Sequence, residues 1–282
     1  MNDRSTTSAG WFADIDPADS KAAMEAIREK TTEEPRDWPA KALDAGFADD
    51  EVDYYAKLHE STVESTREAV RERETADDQQ LKHGVRAIDD LAATTNELSE
   101  RLAEWAGSAF DEAGSGVKHA RAVAGRDPEG PTETRIVALA ERVVDLADER
   151  ATLEAFVETE APAVAPNLAA IAGPVLAARL IALAGGLESL ARKPSGTVQV
   201  LGAEDALFAH LDGRGPSPKH GIIYTHEYVR GTRPEERGSA ARALAGKLAI
   251  AARVDHYSGD RKPELDAELA ARINRIRSRG DA

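Results

Sequence analysis

The sequence predicts a mainly α-helical protein. A small N-terminal domain, open between α and α+β, precedes an antiparallel coiled-coil hairpin and an all-α C-terminal domain. Three observations predict this. Alanine fills 53 of the 282 positions while aromatic residues make up only 5%, a balance that favours closely packed helices over aromatic-rich sheets and barrels. Two long stretches carry apolar residues in alternating steps of three and four, the spacing of a helical seam. Beyond them, Pro162, Pro166, Pro174, Pro194, Pro216, Pro218 and Pro234 cut an apolar region into short segments, as expected for brief helices joined by firm turns.

Residues 1–75 mix apolar clusters with breakers. Trp11–Ile15 reads as a short strand ending at Asp16-Pro17, and Ala18–Lys30 as an amphipathic helix with Ala22, Ala23, Ala26 and Ile27 on one side. Pro35 and Pro39 interrupt, and a charged helix resumes over Asp49–Arg73.

The first seam comprises Ile88, Leu91, Thr95, Leu98, Leu102, Trp105 and Ala109. The second comprises Ile136, Leu139, Val143, Leu146, Arg150, Leu153 and Val157. Glycine and proline between them, over Glu112–Pro131, mark a turn region, so the two helices form a hairpin spanning 77–160. Either the hairpin packs on the core of its own chain, or it offers Ile88, Leu91, Leu98, Leu102, Ile136, Leu139, Val143, Leu146 and Leu153 to a second copy. Thr95 and Arg150 are the polar positions that would set register.

The most apolar stretch, Leu168–Leu187, contains Pro174, three glycines and a central Arg179. A central Arg costs roughly 2.5–3.5 kcal/mol on membrane-insertion scales, so a buried helix is expected there and no membrane partner. No basic segment followed by an apolar run opens the chain, and a cytoplasmic location is expected. A last amphipathic helix, Pro263–Arg279, carries Leu265, Leu269, Ile273 and Ile276 as its stripe. Its final turn holds Arg272, Arg275, Arg277 and Arg279, which suits either the helix dipole or an RNA-binding tail.

The formal charge of -15 argues at first against a nucleic-acid partner. It is an average over unlike parts. Residues 1–160 carry 38 acids and 19 bases, and residues 161–282 carry 13 acids and 17 bases. Between Arg214 and Arg253 lie Lys219, His220, Arg230, Arg233, Arg237, Arg242 and Lys247. Thr232-Arg-Pro234 reads as a helix start. On that helix Arg242, Gly246, Ala249 and Arg253 share one face, with Leu244, Leu248 and Ala251 opposite. Small residues between two arginines let a phosphate backbone come close; either Tyr224 and Tyr228 stack unpaired bases, or the face is a solvated basic one and the tyrosines are structural. The chain has no cysteine and no phosphate loop or dinucleotide fingerprint. It has no paired histidine-ligand spacing and no nucleophile elbow. No metal, no cofactor and no enzymatic activity are expected.

The stretch Ala165–Leu211, with Pro218–Val229 (PKHGIIYTHEYV) and Glu236–Gly259, resembles the Nop domain of the box C/D ribonucleoprotein scaffold proteins. Ala87–Ala113 resembles that family's first coiled-coil helix. The resemblance implies a domain plan of 1–75 for docking fibrillarin, 77–160 for dimerisation through the coiled coil, 161–259 as the Nop domain and 260–282 as a basic C-terminal helix. Fibrillarin is the S-adenosylmethionine-dependent 2′-O-methyltransferase. The implied function is a scaffold that directs 2′-O-methylation of rRNA or tRNA, bridging fibrillarin to box C/D guide RNA and to a ribosomal-protein-like subunit on its kink-turn. Site residues carried over onto this chain are Gly202, Ala203, Glu204, Lys219, His220, Arg237, Arg242, Lys247 and Arg253. The family's usual Lys after Gly-Ala-Glu is here Asp205, which removes one phosphate contact, and the coiled-coil tip is short. The rival reading is a helical coiled-coil adaptor without an RNA role.

Only 10 of the 36 basic residues are Lys, against 51 acids, a composition that suits high salt. The expected outcome is that the purified protein becomes monodisperse and stable only near molar salt. Light scattering showing a stable, monodisperse chain in dilute buffer would remove that reading.

Overall fold

The computed structural model describes residues 10–30, 36–110 and 113–278. The chain divides into two compact units, Met1–Ala76 and Asp77–Ala282. Among the described residues there are helices and no strands.

In the first unit, α1 (Ser20–Glu29), α2 (Trp38–Asp44) and α3 (Glu51–Glu74) begin on Asp19, Asp37 and Asp50, whose carboxylates accept backbone N–H bonds of the first turn. Buried Ala23 and Ala26 of α1, with Ser61 and Ser65 of α3, keep those packed helices free of bulk. The strand expected at Trp11–Ile15 is instead a pair of turns, closed by Ala13 N–H on Gly10 O at 3.3 Å and Ile15 N–H on Phe12 O at 3.2 Å. The aromatic residues explain the difference. Phe12 folds into a cluster with Trp11, Phe47 and Tyr54, and the Lys30 ammonium donates to Trp11 O and Ala13 O. The backbone therefore finds partners without a neighbouring strand.

The second unit is a helical hairpin rooted in a cluster of short helices. α4 (Asp77–Phe110) and α6 (Pro131–Val164) run as the two arms. The expected turn region between them contains a further helix, α5 (Gly116–Ala124), with His119, Ala120 and Val123 buried. Apolar spacing inside that glycine-rich stretch outweighs its breakers, because Ala120 and Val123 join Leu102, Ala106, Ile136, Ala140 and Val143 in one core at the distal end. The seams close within the chain. Ile88, Leu102, Ile136 and Val143 are buried, and Leu91, Leu98, Leu139, Leu146 and Leu153 are half-buried. Thr95 is buried in the seam, but Arg150 is exposed and paired with Glu154 at 2.9 Å, outside it.

At its root the hairpin shares a core with α7 (Pro166–Ala172), α8 (Pro174–Ala184), α9 (Leu187–Arg192), α10 (Ser195–Val200), α12 (Glu227–Arg230), α13 (Arg237–Tyr257) and α14 (Glu264–Ser278). α11 (Glu204–Leu211) and a 3-10 turn, Ile222–Thr225, lie on the path between α10 and α12. Pro162 does not end α6, since it falls in the last turn. The single apolar helix expected over Leu168–Leu187 is two helices, α7 and α8, bent by 116°. Gly173, at φ +80°, makes the bend. Arg179 in α8 reaches Asp89 of α4 at 2.5 Å, which accounts for a cation amid apolar neighbours. Among the described residues no single helix is long and apolar enough to cross a membrane.

α13 is the axis of this unit. Ala240, Ala241, Leu244, Ala245, Leu248, Ala251 and Ala252 are wholly buried, so α7, α9, α10, α12 and α14 all pack on it. Alanine leaves the room for five neighbours around one helix. Leu265, Leu269, Ile273 and Ile276 bury the expected stripe of α14.

Two polar devices lock these helices. Asn167, fully buried, donates Nδ2 to Asp255 Oδ1 at 2.6 Å and to Asp260 O at 2.8 Å. Its Oδ1 accepts Lys262 N–H at 2.6 Å. Asp255 in turn accepts the first N–H groups of α7, from Asn167 at 3.0 Å and Leu168 at 2.8 Å. The second device is His226. Its Nδ1 accepts Tyr228 N–H at 3.1 Å, so the proton sits on Nε2, which donates to Ile171 O at 3.0 Å.

Asn167→Ala strands Lys262 N–H and Asp260 O and is expected to cost about 2–4 kcal/mol. Asp255→Ala is expected to be sub-additive with it. Denaturant melts of the two single variants and the double variant check this; additive effects would show the groups to be uncoupled. Burial holds the His226 imidazole below its ordinary range, against the opposing pull of Ile171 O and Glu227. The unfolded chain then binds a proton that the folded chain refuses, so stability is full above the ordinary histidine pKa of about 6.5 and is lost as pH falls below it. His226→Gln should flatten stability between about pH 7 and 5. A slope equal to the parent's would count against the latch.

Candidate nucleic-acid interface

The residues expected to meet RNA come from two segments that the backbone draws together. Gly221 N–H donates to Gln199 O at 2.8 Å and Ile222 N–H to Leu201 O at 2.7 Å. Gln199 Nε2 adds a bond to Lys219 O at 2.7 Å. The contact requires glycine, since a Cβ at 221 would lie 1.9 Å from Leu201 O. This seam sets Gly202-Ala203-Glu204 beside Lys219-His220. Glu204 opens α11 and folds back, its Oε1 accepting Gly202 N–H at 2.9 Å. Asp205 follows, exposed.

His220 stacks on Tyr224 with ring centroids 4.6 Å apart and 22° between planes. The Arg237 guanidinium lies 5.5 Å from the Tyr224 ring centroid and donates Nε to Thr232 O at 3.0 Å. Burial, with Arg237 and Lys219 adding to it, holds His220 below its ordinary range, so the ring is neutral near pH 7. A second His–Tyr–Arg group follows: His226 lies against Tyr228 with centroids 4.9 Å apart and planes tilted by 59°, and Arg277 stands over Tyr228 while donating to Thr232 Oγ1 and Glu227 O. Both tyrosines are half-buried and engaged within the chain, the structural one of the two roles the sequence left open for them.

Thr232 does not start the long helix. Its hydroxyl turns to Tyr228 O at 2.7 Å, and α13 begins at Arg237. On α13, Arg242 is exposed, Gly246 is half-exposed and Ile250 is exposed. Ala249, expected beside them, is buried at 2%. The Lys219 side chain passes within 4.0 Å of a Cβ position at Gly238, one turn before Arg242. Lys247 is paired with Glu268 of α14. Arg253 is spent on architecture, donating Nε to Ala191 O at 3.1 Å and a terminal N–H to Lys193 O at 3.3 Å at the end of α9. The start of α9 is held as well, by Asp78 of α4, which accepts Leu187 N–H at 2.8 Å. The site therefore sorts into a free cationic edge, Lys219 and Arg242, and a supporting set, Gly202, Ala203, Glu204, His220, Arg237 and Arg253. Lys247 stands at the border. Arg277, Asn167 and Asp255 are structural contributors that sequence spacing does not mark.

Comparison with known proteins gives the family of the chain. The profile of the Nop family, described as a snoRNA-binding domain and by the word fibrillarin, matches residues 117–278. A NOP5-family protein of Methanocaldococcus jannaschii is 36% identical over 269 residues, covering 82% of this chain and 65% of the relative. Nucleolar protein 58 of Schizosaccharomyces pombe is 42% identical over 146 residues, or 51% of this chain and 29% of that protein. The chain thus spans less than two thirds of the length of either relative. A chain from the crystal structure of a fibrillarin/Nop5p complex superposes with a TM-score of 0.54 at 26% identity, covering 91% of this chain and 92% of that one. With the profile running across more than half of its residues, from α5 to the end of α14, the chain belongs to the Nop family.

Proposed function

We propose that the chain is the scaffold subunit of a box C/D guide ribonucleoprotein that directs 2′-O-methylation of rRNA or tRNA. The observation that carries the reading is the cationic edge of Lys219 and Arg242. It stands on a Nop-family fold within a net-basic stretch of an otherwise acidic chain. Phosphate contacts from such side chains position the protein without reading sequence. Selectivity then comes from RNA shape and from the protein already seated on the kink-turn. Asp205 in place of a Lys makes the edge weak alone, so the domain joins a preformed RNA–protein pair rather than free RNA.

Residues 1–75 are the fibrillarin-docking part, a role supported by the fibrillarin/Nop5p structure that the chain resembles along 91% of its length. Self-association belongs to the 77–160 hairpin. Because Ile88, Leu102, Ile136 and Val143 are covered within the chain, a second copy would meet exposed apolar groups such as Trp105 and Phe156. The chain itself performs no chemistry and acts in the cytoplasm. By holding the methyltransferase near the guide duplex it raises the enzyme's effective concentration at one nucleotide.

Lys219→Glu with Arg242→Glu should weaken joining to the kink-turn RNA–protein pair at least ~10-fold, with charge reversal at two phosphate contacts. The melting temperature should be unchanged, since neither side chain is paired within the chain. An unaltered supershift in a gel assay would overturn the RNA reading. Methyl transfer by the purified chain without fibrillarin would overturn the scaffold reading.

A further inference from the structure

A groove of about 460 Å³ runs between α13 and α14, lined by Ser239, Arg242, Gly246, Lys247 and Ile250 on one side and Arg272 on the other. Its lining holds three cations and no carboxylate. That is unusual in a chain with 51 acids. Several exposed arginines of the same unit are paired instead, Arg101 with Glu104, Arg142 with Asp145 and Arg192 with Glu188. Among the described residues neither Arg242 nor Arg272 has an ion-pair or hydrogen-bond partner. Both guanidiniums are exposed and line the same groove, so it carries positive charge that an entering anion would offset.

We infer that this groove is a phosphate-binding track for the RNA backbone, and that Arg272 of α14 is a second-wall contact across from Arg242. The inference rests on the RNA reading given above and extends the binding face from α13 onto the C-terminal helix. Three features favour a nucleic-acid backbone over an acidic protein segment. Gly246 leaves open space where a Cβ would project, which admits a phosphate close to the helix. The two free cations are both Arg, whose planar fork matches phosphate oxygens bidentately. The groove also continues the edge begun by Lys219 at Gly238, one turn before Arg242. Lys247 is fixed in the wall by Glu268 and contributes charge from a set position. Arg272 is exposed and packs no core, so its removal leaves the fold unchanged.

The test uses the full chain and, as probe, a kink-turn RNA bound to its protein, titrated over a range of KCl in which every variant stays folded. Arg272→Gln should bind about 3–10-fold more weakly, and the slope of log affinity against log salt should fall in magnitude by roughly 0.7–0.9, the signature of one lost phosphate contact. Arg272→Lys should restore the slope. Equal affinity and slope for Arg272→Gln and parent, with Lys219→Glu/Arg242→Glu still defective, overturns the track and leaves the RNA reading standing. A parent chain that does not join the probe overturns both. Weaker binding of Arg272→Gln to polyglutamate, with RNA binding unchanged, overturns the track in favour of an acidic protein partner.

Discussion

The second unit depends on one buried polar clamp. Asp255, deep in α13, accepts the leading N–H groups of α7, and Asn167 spans from that carboxylate to the backbone of 260–262. α7 has only 7 residues and is too short to hold its own shape. α14 begins just after 260–262 and must be aimed so that its apolar stripe meets the core. A single amide side chain serves both needs. Low dielectric makes such a network strong when complete and costly when broken. Once α7, α13 and α14 are fixed, the wall of cations on α13 and α14 has a fixed geometry too.

Alanine is the second constraint. An axis helix with five neighbours cannot carry large side chains all round, and α13 meets the requirement with Ala240, Ala241, Ala245, Ala251 and Ala252. No aromatic residue is buried on α13, and two His–Tyr–Arg groups gather around the loop before it. Those groups brace the loop before α13 and engage the tyrosine rings within the chain. The acidic excess lies mainly in the first 160 residues, away from the basic stretch.

Much of this was legible in the residues themselves. Seam spacing predicted α4 and α6, the stripe of α14 was read at all four positions, and the docked side of α13 followed from Leu244 and Leu248. Local pattern failed where tertiary contacts decided the outcome. Trp11–Ile15 had strand composition, but its side chains preferred the Phe47 and Tyr54 rings to a partner strand. Glu112–Pro131 has the glycine and proline content of a turn, but Ala120 and Val123 within it join the core at the distal end and make a helix there. Ala249 followed from a helical wheel that could not know how many neighbours surround α13. Arg253 had the right charge and position for a phosphate contact, yet carbonyls at the end of α9, 62 residues away in sequence, claim it. The family resemblance supplied the Gly202–Glu204 and Lys219–His220 positions. Only the backbone bonds at Gly221 explained why the two segments meet.

The short helix α9 is pinned at one end by Asp78 of the hairpin and at the other by Arg253 of α13. Six residues thus form a strut between the arm that rises from the unit and the helix that carries its free cations. A strut held at both ends by charged groups transmits direction as well as position. Tilt of the hairpin root is passed to α13 rather than absorbed in a loop. The angle at which the arm leaves the unit and the angle at which the cationic edge faces outward therefore form one mechanical setting, shared between two elements almost a full domain apart in sequence.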